Sequence, residues 1–316
     1  MRLMCLLAAA LAAGPAVAQP LTIGTNPSGS LAYMTGAMIA KVATENAGVQ
    51  TLVVPHGGPP VTLPALNRGE IEMSIAESMT TALGYRGQVM FSQPLTEVRV
   101  VAALFPLRVG MFVRADSGIR SIAELKGKRV PAEFPIQRNN HMMIEAALAS
   151  AGLSYADVKP WPVPDGVRGV DDFIGGKVDA TLFSLGSGKV QQASSSVGGI
   201  RFLSVNDTPQ TRAAMQRITP GLYIETVEPK PSYLGVVEPT NILTAQFLLL
   251  AGSKVPDETI YRIAKALAGN KAALAAGMPD FGELSLDNMA RDTGVPVHPG
   301  AARFYREAGV APGGQR

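Results

Sequence analysis

Short apolar runs alternate with amphipathic stretches of helical spacing along most of this chain. Leu21–Thr25 reads as a strand, and from Ala32 to Glu45 the apolar positions Met34, Met38, Ile39 and Val42 recur with a helical period. Thr51–Val54 is a second strand, Leu63–Arg68 a short helix stopped by Gly69, and Ile71–Ala76 a third strand. Ser78 is expected to cap the helix after it. Strands alternating with helices predict a parallel sheet covered on both faces.

Val98–Phe105 and Val109–Arg114 read as two further apolar strands, and Asp116-Ser117-Gly118 as a turn. Ser121 and Glu124 have capping-box spacing, Lys126–Val130 enters a strand, and Asn140–Ser150 is helical up to Gly152. A helix over Asp171–Gly175 precedes a strand over Val178–Phe183, and Pro256–Ala268 is a helix with Ile260, Ile263, Ala264 and Leu267 on one face. A chain of about 300 residues exceeds one comfortable core, so two α/β lobes are expected. The first takes residues 19–105 and 234–316, and the second takes 106–233. Two crossings between lobes make a hinge, and ligands of open α/β sheets bind outside the carboxyl ends of the strands.

The N-terminus sets the compartment. Met1-Arg2, an apolar run over Leu3–Ala13, the Gly14-Pro15 break and Ala16-Val17-Ala18 have the layout of a secretory signal peptide, residues 1–18, cleaved after Ala18. The protein is therefore expected to be periplasmic and soluble, without stable membrane insertion. Its single cysteine, Cys5, falls inside that signal, which leaves no disulfide or thiolate chemistry for the mature chain. Charged residues make up 17% and hydrophobic ones 47%, a composition suited to a well-packed globular protein. The formal charge of +3 is too small to argue for nucleic acid.

Several residues are candidates for holding a small molecule. The loop Asn26-Pro27-Ser28-Gly29-Ser30 precedes a helix, where free backbone N–H groups can meet an anion, and Tyr33 can form a wall. The same loop also reads as an ordinary tight turn. His56-Gly57-Gly58 follows the second strand and permits close approach of a ligand. Glu77, with Ser78 beside it, ends the third strand and can receive an ammonium or hydroxyl; otherwise it is a solvated or internally paired charge. Gln137, Arg138, Asn139 and Asn140 open a helix of the second lobe. Arg138 has the fork geometry for a carboxylate, whereas an asparagine there can equally be a cap. His298 reads as structural, and Met111, Met142 and Met143 as core. Trp161 either stacks on a ligand or, more in keeping with its flanking prolines, anchors a loop. The three histidines lack paired metal spacing, and no cofactor is expected. Neither a Gly-x-Ser-x-Gly elbow nor a His-Glu-x-x-His motif occurs, so the chain does not read as an enzyme.

Several segments in order resemble the TAXI family, the extracytoplasmic solute receptors of tripartite ATP-independent periplasmic (TRAP) transporters. They are Ile23-Gly24-Thr25 through Gly29 and Tyr33-x-x-Gly36; Gly57-Gly58 with Ala65-Leu66 and Gly69-Glu70; Leu125–Val130 with Ala151-Gly152-Leu153; and Gly176-x-Val178-Asp179-Ala180. The most specific is the ending Val295-Pro296-Val297-His298-Pro299-Gly300-Ala301 with Phe304–Gly309. The resemblance implies a type II periplasmic-binding-protein fold, two α/β lobes with the cleft between them. It also implies Ser184 and Gly186 on the opposite cleft wall, a small organic acid or amino acid as ligand, and TRAP membrane subunits as partners. The cleft segments depart from the family pattern: Asn26, Pro27, Leu31, Pro59, Thr62, Glu77, Met79 and Ile136–Asn140 stand where other residues are usual. A sensor that presents its closed form to a membrane signalling protein shares the fold, and a secreted hydrolase is the remaining alternative.

Overall fold

The computed structural model describes residues 19–313, so the signal segment expected at residues 1–18 lies outside the described residues. The chain opens with β1 (Leu21–Thr25), α1 (Leu31–Ala47), β2 (Thr51–Pro55), α2 (Pro59–Arg68), β3 (Met73–Glu77) and α3 (Ser78–Arg86). The long β4 (Val98–Arg114) then leads into β5 (Arg129–Glu133), α4 (Arg138–Ala149), β6 (Lys159–Val163), α5 (Gly166–Ile174) and β7 (Ala180–Ser184). Next come α6 (Gly188–Ser196), β8 (Ile200–Phe202), α7 (Pro209–Ile218) and β9 (Tyr223–Val227). The equally long β10 (Thr240–Gly252) returns, followed by α8 (Asp257–Gly269), α9 (Lys271–Gly277), α10 (Leu286–Met289) and α11 (Pro299–Glu307).

The main sheet runs β2-β1-β3-β10-β4-β7, with β8 also paired to β4 and β9 to β10; β5 and β6 form a separate parallel pair. β1 is parallel to β2 and β3, as the alternation of strands and helices predicts. β10 is antiparallel to both β3 and β4. The all-parallel expectation therefore fails at the centre of the sheet: the chain enters the second lobe along β4 and leaves it along β10 in the opposite direction. The two apolar strands expected over residues 98–114 are in fact one. At about 3.3 Å per residue its 17 residues reach on the order of 50 Å, enough to traverse both lobes. Pro106 sits in its middle, opposite Gln246, and the ladder shifts register between Phe247 and Leu248 and again between Leu249 and Leu250. A proline has no N–H to give the ladder. The β4–β10 ladder thus lacks one donor at Pro106 and is irregular just beside it.

Local details also differ from expectation. The helix expected over Leu63–Arg68 starts earlier: α2 begins at Pro59, whose fixed φ and missing N–H suit the first helical turn. Glu77, not Ser78, is the N-cap of α3, and the Ser78 hydroxyl instead accepts the Gln246 N–H at 3.2 Å. Ser121 and Glu124 bond each other's side chains at 2.9 Å rather than forming a reciprocal cap on the backbone. The main core packs α1, α8 and α11 against the first-lobe strands, with Ile23, Ile39, Ile75, Leu249, Ile260 and Tyr305 buried. A second cluster lies behind β7 and β8 around Phe112, Phe173 and Phe202.

Candidate functional site

A cavity of about 50 Å³ lies at the carboxyl ends of β1, β3 and β7, between the lobes. The first lobe contributes the loop from Asn26 into α1 and the end of β3. The second contributes the start of α4, Val167 of α5 and the end of β7, while Leu107, Val109 and Phe247 of the crossing strands form the floor. A larger depression of about 350 Å³, lined by Leu21, Glu72, Glu97 and Ser253, lies at the amino ends of the first-lobe parallel strands. That is the wrong end for a ligand of an open α/β sheet.

Among the described residues, Glu77 is the only ionisable side chain lining the cavity. It caps β3 among residues that are all buried, and 3% of its surface is exposed. Burial pushes its carboxyl above the usual carboxylate range, against the opposing pull of hydrogen bonds from Thr80, its own backbone and Asn139. The Thr80 hydroxyl and Asn139 Nδ2, the latter at 3.1 Å, both donate to Oε1. Since Asn139 belongs to the second lobe, that bond spans the cleft. The Asn139 Oδ1 is buried and has no hydrogen-bond partner among the described residues.

The opposite wall is built with close tolerances. Gln137 Oε1 accepts the Gly166 N–H at 2.9 Å and Asn140 Nδ2 at 2.9 Å, which ties the start of α5 to that of α4. A Cβ on Gly166 would come within 2.7 Å of Asn140 Nδ2, so a larger residue there displaces that amide. Glu133 and Phe134, just before α4, hold positive φ values of 67° and 49°. Such strain in non-glycine residues gathers where a site needs a fixed backbone.

Of the residues expected to line a site, Asn26, Ser30, Glu77, Gln137, Asn139, Asn140 and Ser184 surround this cavity. The others lie elsewhere. Ser28 is exposed, and the Gly29 carbonyl accepts the Lys189 N–H at 3.1 Å, a direct lobe-to-lobe contact outside the cavity. Tyr33 is half-buried and contributes its backbone N–H to the Ser30 cap. His56 and Gly57 sit at the cleft mouth near Gly24 and Ile136, and Gly58 packs against Asn26. Ser78 serves β10. Gly186 packs beside Asp280 and Tyr233, behind the cavity wall.

Arg138 is the chief correction. It is exposed and does not reach the cavity; its neighbour Asn139 faces Glu77. Successive side chains on a helix point about 100° apart, which turns Arg138 away from the face that Asn139 and Asn140 share. Trp161 is an anchor, its Nε1 donating to Asp172 at 2.9 Å. His298 is fully buried and accepts the Gly300 N–H, with its pKa lowered chiefly by burial.

The sequence matches the NMT1-like family over residues 23–309. This chain belongs to the NMT1-like family. Solved structures share its fold at low sequence identity. A structure described as a periplasmic transporter superposes with a TM-score of 0.58 at 15% identity, covering 91% of each chain. The substrate-binding protein of an amino-acid ABC transporter gives 0.51 at 14% identity, over 84% of this chain and 96% of that one. Another such protein, from Streptococcus pneumoniae and bound to L-arginine, gives 0.52 at 13%, over 83% and 94%. The NMT1-like chain thus has the type II periplasmic-binding-protein fold, and among its described residues no helix is long and apolar enough to cross a membrane.

Sequence reasoning missed the apolar half of the cavity, including Leu107, Val109, Val167, Phe183, Phe247 and Met143. Met143 was expected in the core, and it is buried there as well as lining the cavity. Nothing local distinguishes these residues from core. Sequence reasoning also missed Arg108, for which a signal did exist: one arginine inside a long apolar run. Arg108 points to the other face of β4 from Leu107 and Val109. There it is held bidentately by Glu225 (2.6 and 3.1 Å) and Glu283 (2.7 and 3.0 Å), with the Tyr233 hydroxyl at 2.9 Å.

Proposed function

We propose that this chain is a periplasmic solute receptor that captures a small organic molecule by closure of its lobes and delivers it to a TRAP-type membrane transporter. The observation that carries the reading is the cavity enclosed jointly by both lobes, crossed by the Glu77–Asn139 bond. A ligand seated there touches both walls at once, makes contacts that an open form cannot offer, and so shifts the population towards closure. In this reading the lobe boundaries lie at residues 105/106, within β4, and 233/234, ahead of β10. The fold's occurrence in proteins described as ABC-transporter binding proteins supports solute capture in general. The TRAP assignment draws on the TAXI-like segments, above all the Pro-x-His-Pro-Gly-Ala ending at Pro296–Ala301.

Three experiments test the reading. Mass spectrometry of small molecules released from the purified protein is expected to find a stoichiometric solute, and X-ray scattering is expected to show compaction when that solute is returned. Conversion of the solute to product would defeat it. Reconstituted uptake with TRAP membrane subunits and a sodium gradient, set against ABC subunits and ATP, tests delivery; uptake with the ABC set alone would overturn the TRAP assignment.

A further inference from the structure

Among the described residues the polar lining of the cavity is one carboxylate, amides and hydroxyls, with no cation to pair the carboxylate. Among the described residues no lysine, arginine or histidine lines it. Arg108, the buried guanidinium closest in sequence, is turned to the opposite face of β4 and is already saturated by two carboxylates. Lys189, also buried, is paired with Asp171. Glu77 by contrast is buried with no cation beside it. Side-chain donors from the protein reach only its Oε1. Next to it stands the Oδ1 of Asn139, 3% exposed and unpartnered among the described residues. Buried acceptors of this kind require a donor, and a buried carboxylate is best met by a charged one. Ser30 Oγ caps α1 and Gln137 Oε1 already accepts twice, which leaves Asn26 and Ser184 as further polar side chains of the lining.

We propose that the cavity selects solutes carrying a protonated nitrogen, which binds between the Glu77 carboxylate and Asn139 Oδ1 and so joins the lobes. This deepens the receptor reading and rests on it. The walls around that point are Leu107, Val109, Met143, Phe183 and Phe247, so the rest of the ligand is compact and apolar near the nitrogen. An ammonium can come from a simple amine or from an amino acid. In the amino acid, the carboxylate has the first-turn amides of α1, at Leu31 and Ala32, within the same lining. A carboxylic acid without the nitrogen places its charge against Glu77 and is rejected.

The test is a set of matched triples: each proteinogenic amino acid, its decarboxylated amine and its deaminated acid (valine, isobutylamine and isovalerate, for instance). Each is screened by thermal shift on the purified protein and followed by calorimetry. At least one triple is expected to respond through its amine or amino acid and not through its acid. A response by the amine identifies a cation site sufficient in itself; a response by the amino acid alone adds a carboxylate subsite, with the nitrogen still required. Glu77→Gln, which keeps shape and hydrogen bonding, is expected to weaken that binder about 10- to 100-fold, the range for losing a charged hydrogen-bond partner. Binding by a deaminated acid, or undiminished binding of an amine or amino acid by Glu77→Gln, overturns the proposal while leaving the receptor reading intact. Silence from every triple overturns the proposal too; the receptor reading then falls only if no released solute compacts the protein.

Discussion

At the scale of single residues, Glu77 sets affinity against stability. Its carboxyl pKa is raised by burial, so the folded chain holds the proton more tightly than the unfolded one. Stability from this group is therefore full below the ordinary carboxylate pKa near 4.5 and is lost as pH rises through the raised value. Glu77→Gln removes that loss. Its melting midpoint without ligand is expected to exceed that of the native chain by a margin that widens from about pH 4.5 upward, about 2–4 °C per kcal/mol recovered. Differential scanning calorimetry across pH checks this, and a constant margin would contradict it. Arg138 supplies the opposite case. Because its side chain is exposed and outside the cavity, Arg138→Ala is expected to alter affinity for a bound amine or amino acid by no more than about two-fold. A ten-fold loss in titration would return Arg138 to the site.

At the scale of elements, the Arg108 cluster joins β4, β9 and the segment Pro279–Glu283. Its guanidinium is 7% exposed, while Glu225 and Glu283 keep 31% and 40% of their side chains exposed. Arg108→Met strands two carboxylates facing each other. Removing one partner of a buried pair costs about 3–5 kcal/mol, and the partial exposure of both acids puts this case near ~3 kcal/mol. Denaturant unfolding is expected to show that loss, with part of it restored when Glu225→Gln and Glu283→Gln are added. No recovery would mean that the arginine acts through packing alone. Apolar runs and helical periods made β1–β5, β7, α1–α5 and α8 legible in advance, because each needs only its own face pattern, whereas β6, α6, β8, α7, β9, β10 and α9–α11 were not read from it. The merger of two expected strands into β4 was not legible. Pro106 and Arg108 read locally as a break, and only pairing with β10 on one side and with β7 and β8 on the other keeps the strand continuous.

For the whole molecule, Gly57 of the first lobe lies against Ile136 of the second. A Cβ on Gly57 would overlap Ile136 Cγ2 and come within 2.9 Å of Val61 Cγ2. The overlap with Ile136 exists only when the lobes meet, so Gly57→Ala is expected to penalise the closed form and weaken ligand binding by about 5- to 100-fold, the usual range for overpacking. Adding Ile136→Ala is expected to recover most of it. Failure of that rescue in titration would place the cost within the first lobe. Sequence alone determined the alternating α/β elements, the glycine turns and a polar end on β3, because these follow from the chemistry of adjacent residues. Tertiary structure decided which neighbour faces which: Asn139 inward and Arg138 outward, Leu107 to the cavity and Arg108 to the carboxylates behind it. Those choices depend on the rotation of a helix and the pleat of a strand relative to a partner far away in the chain, which short-range pattern does not encode.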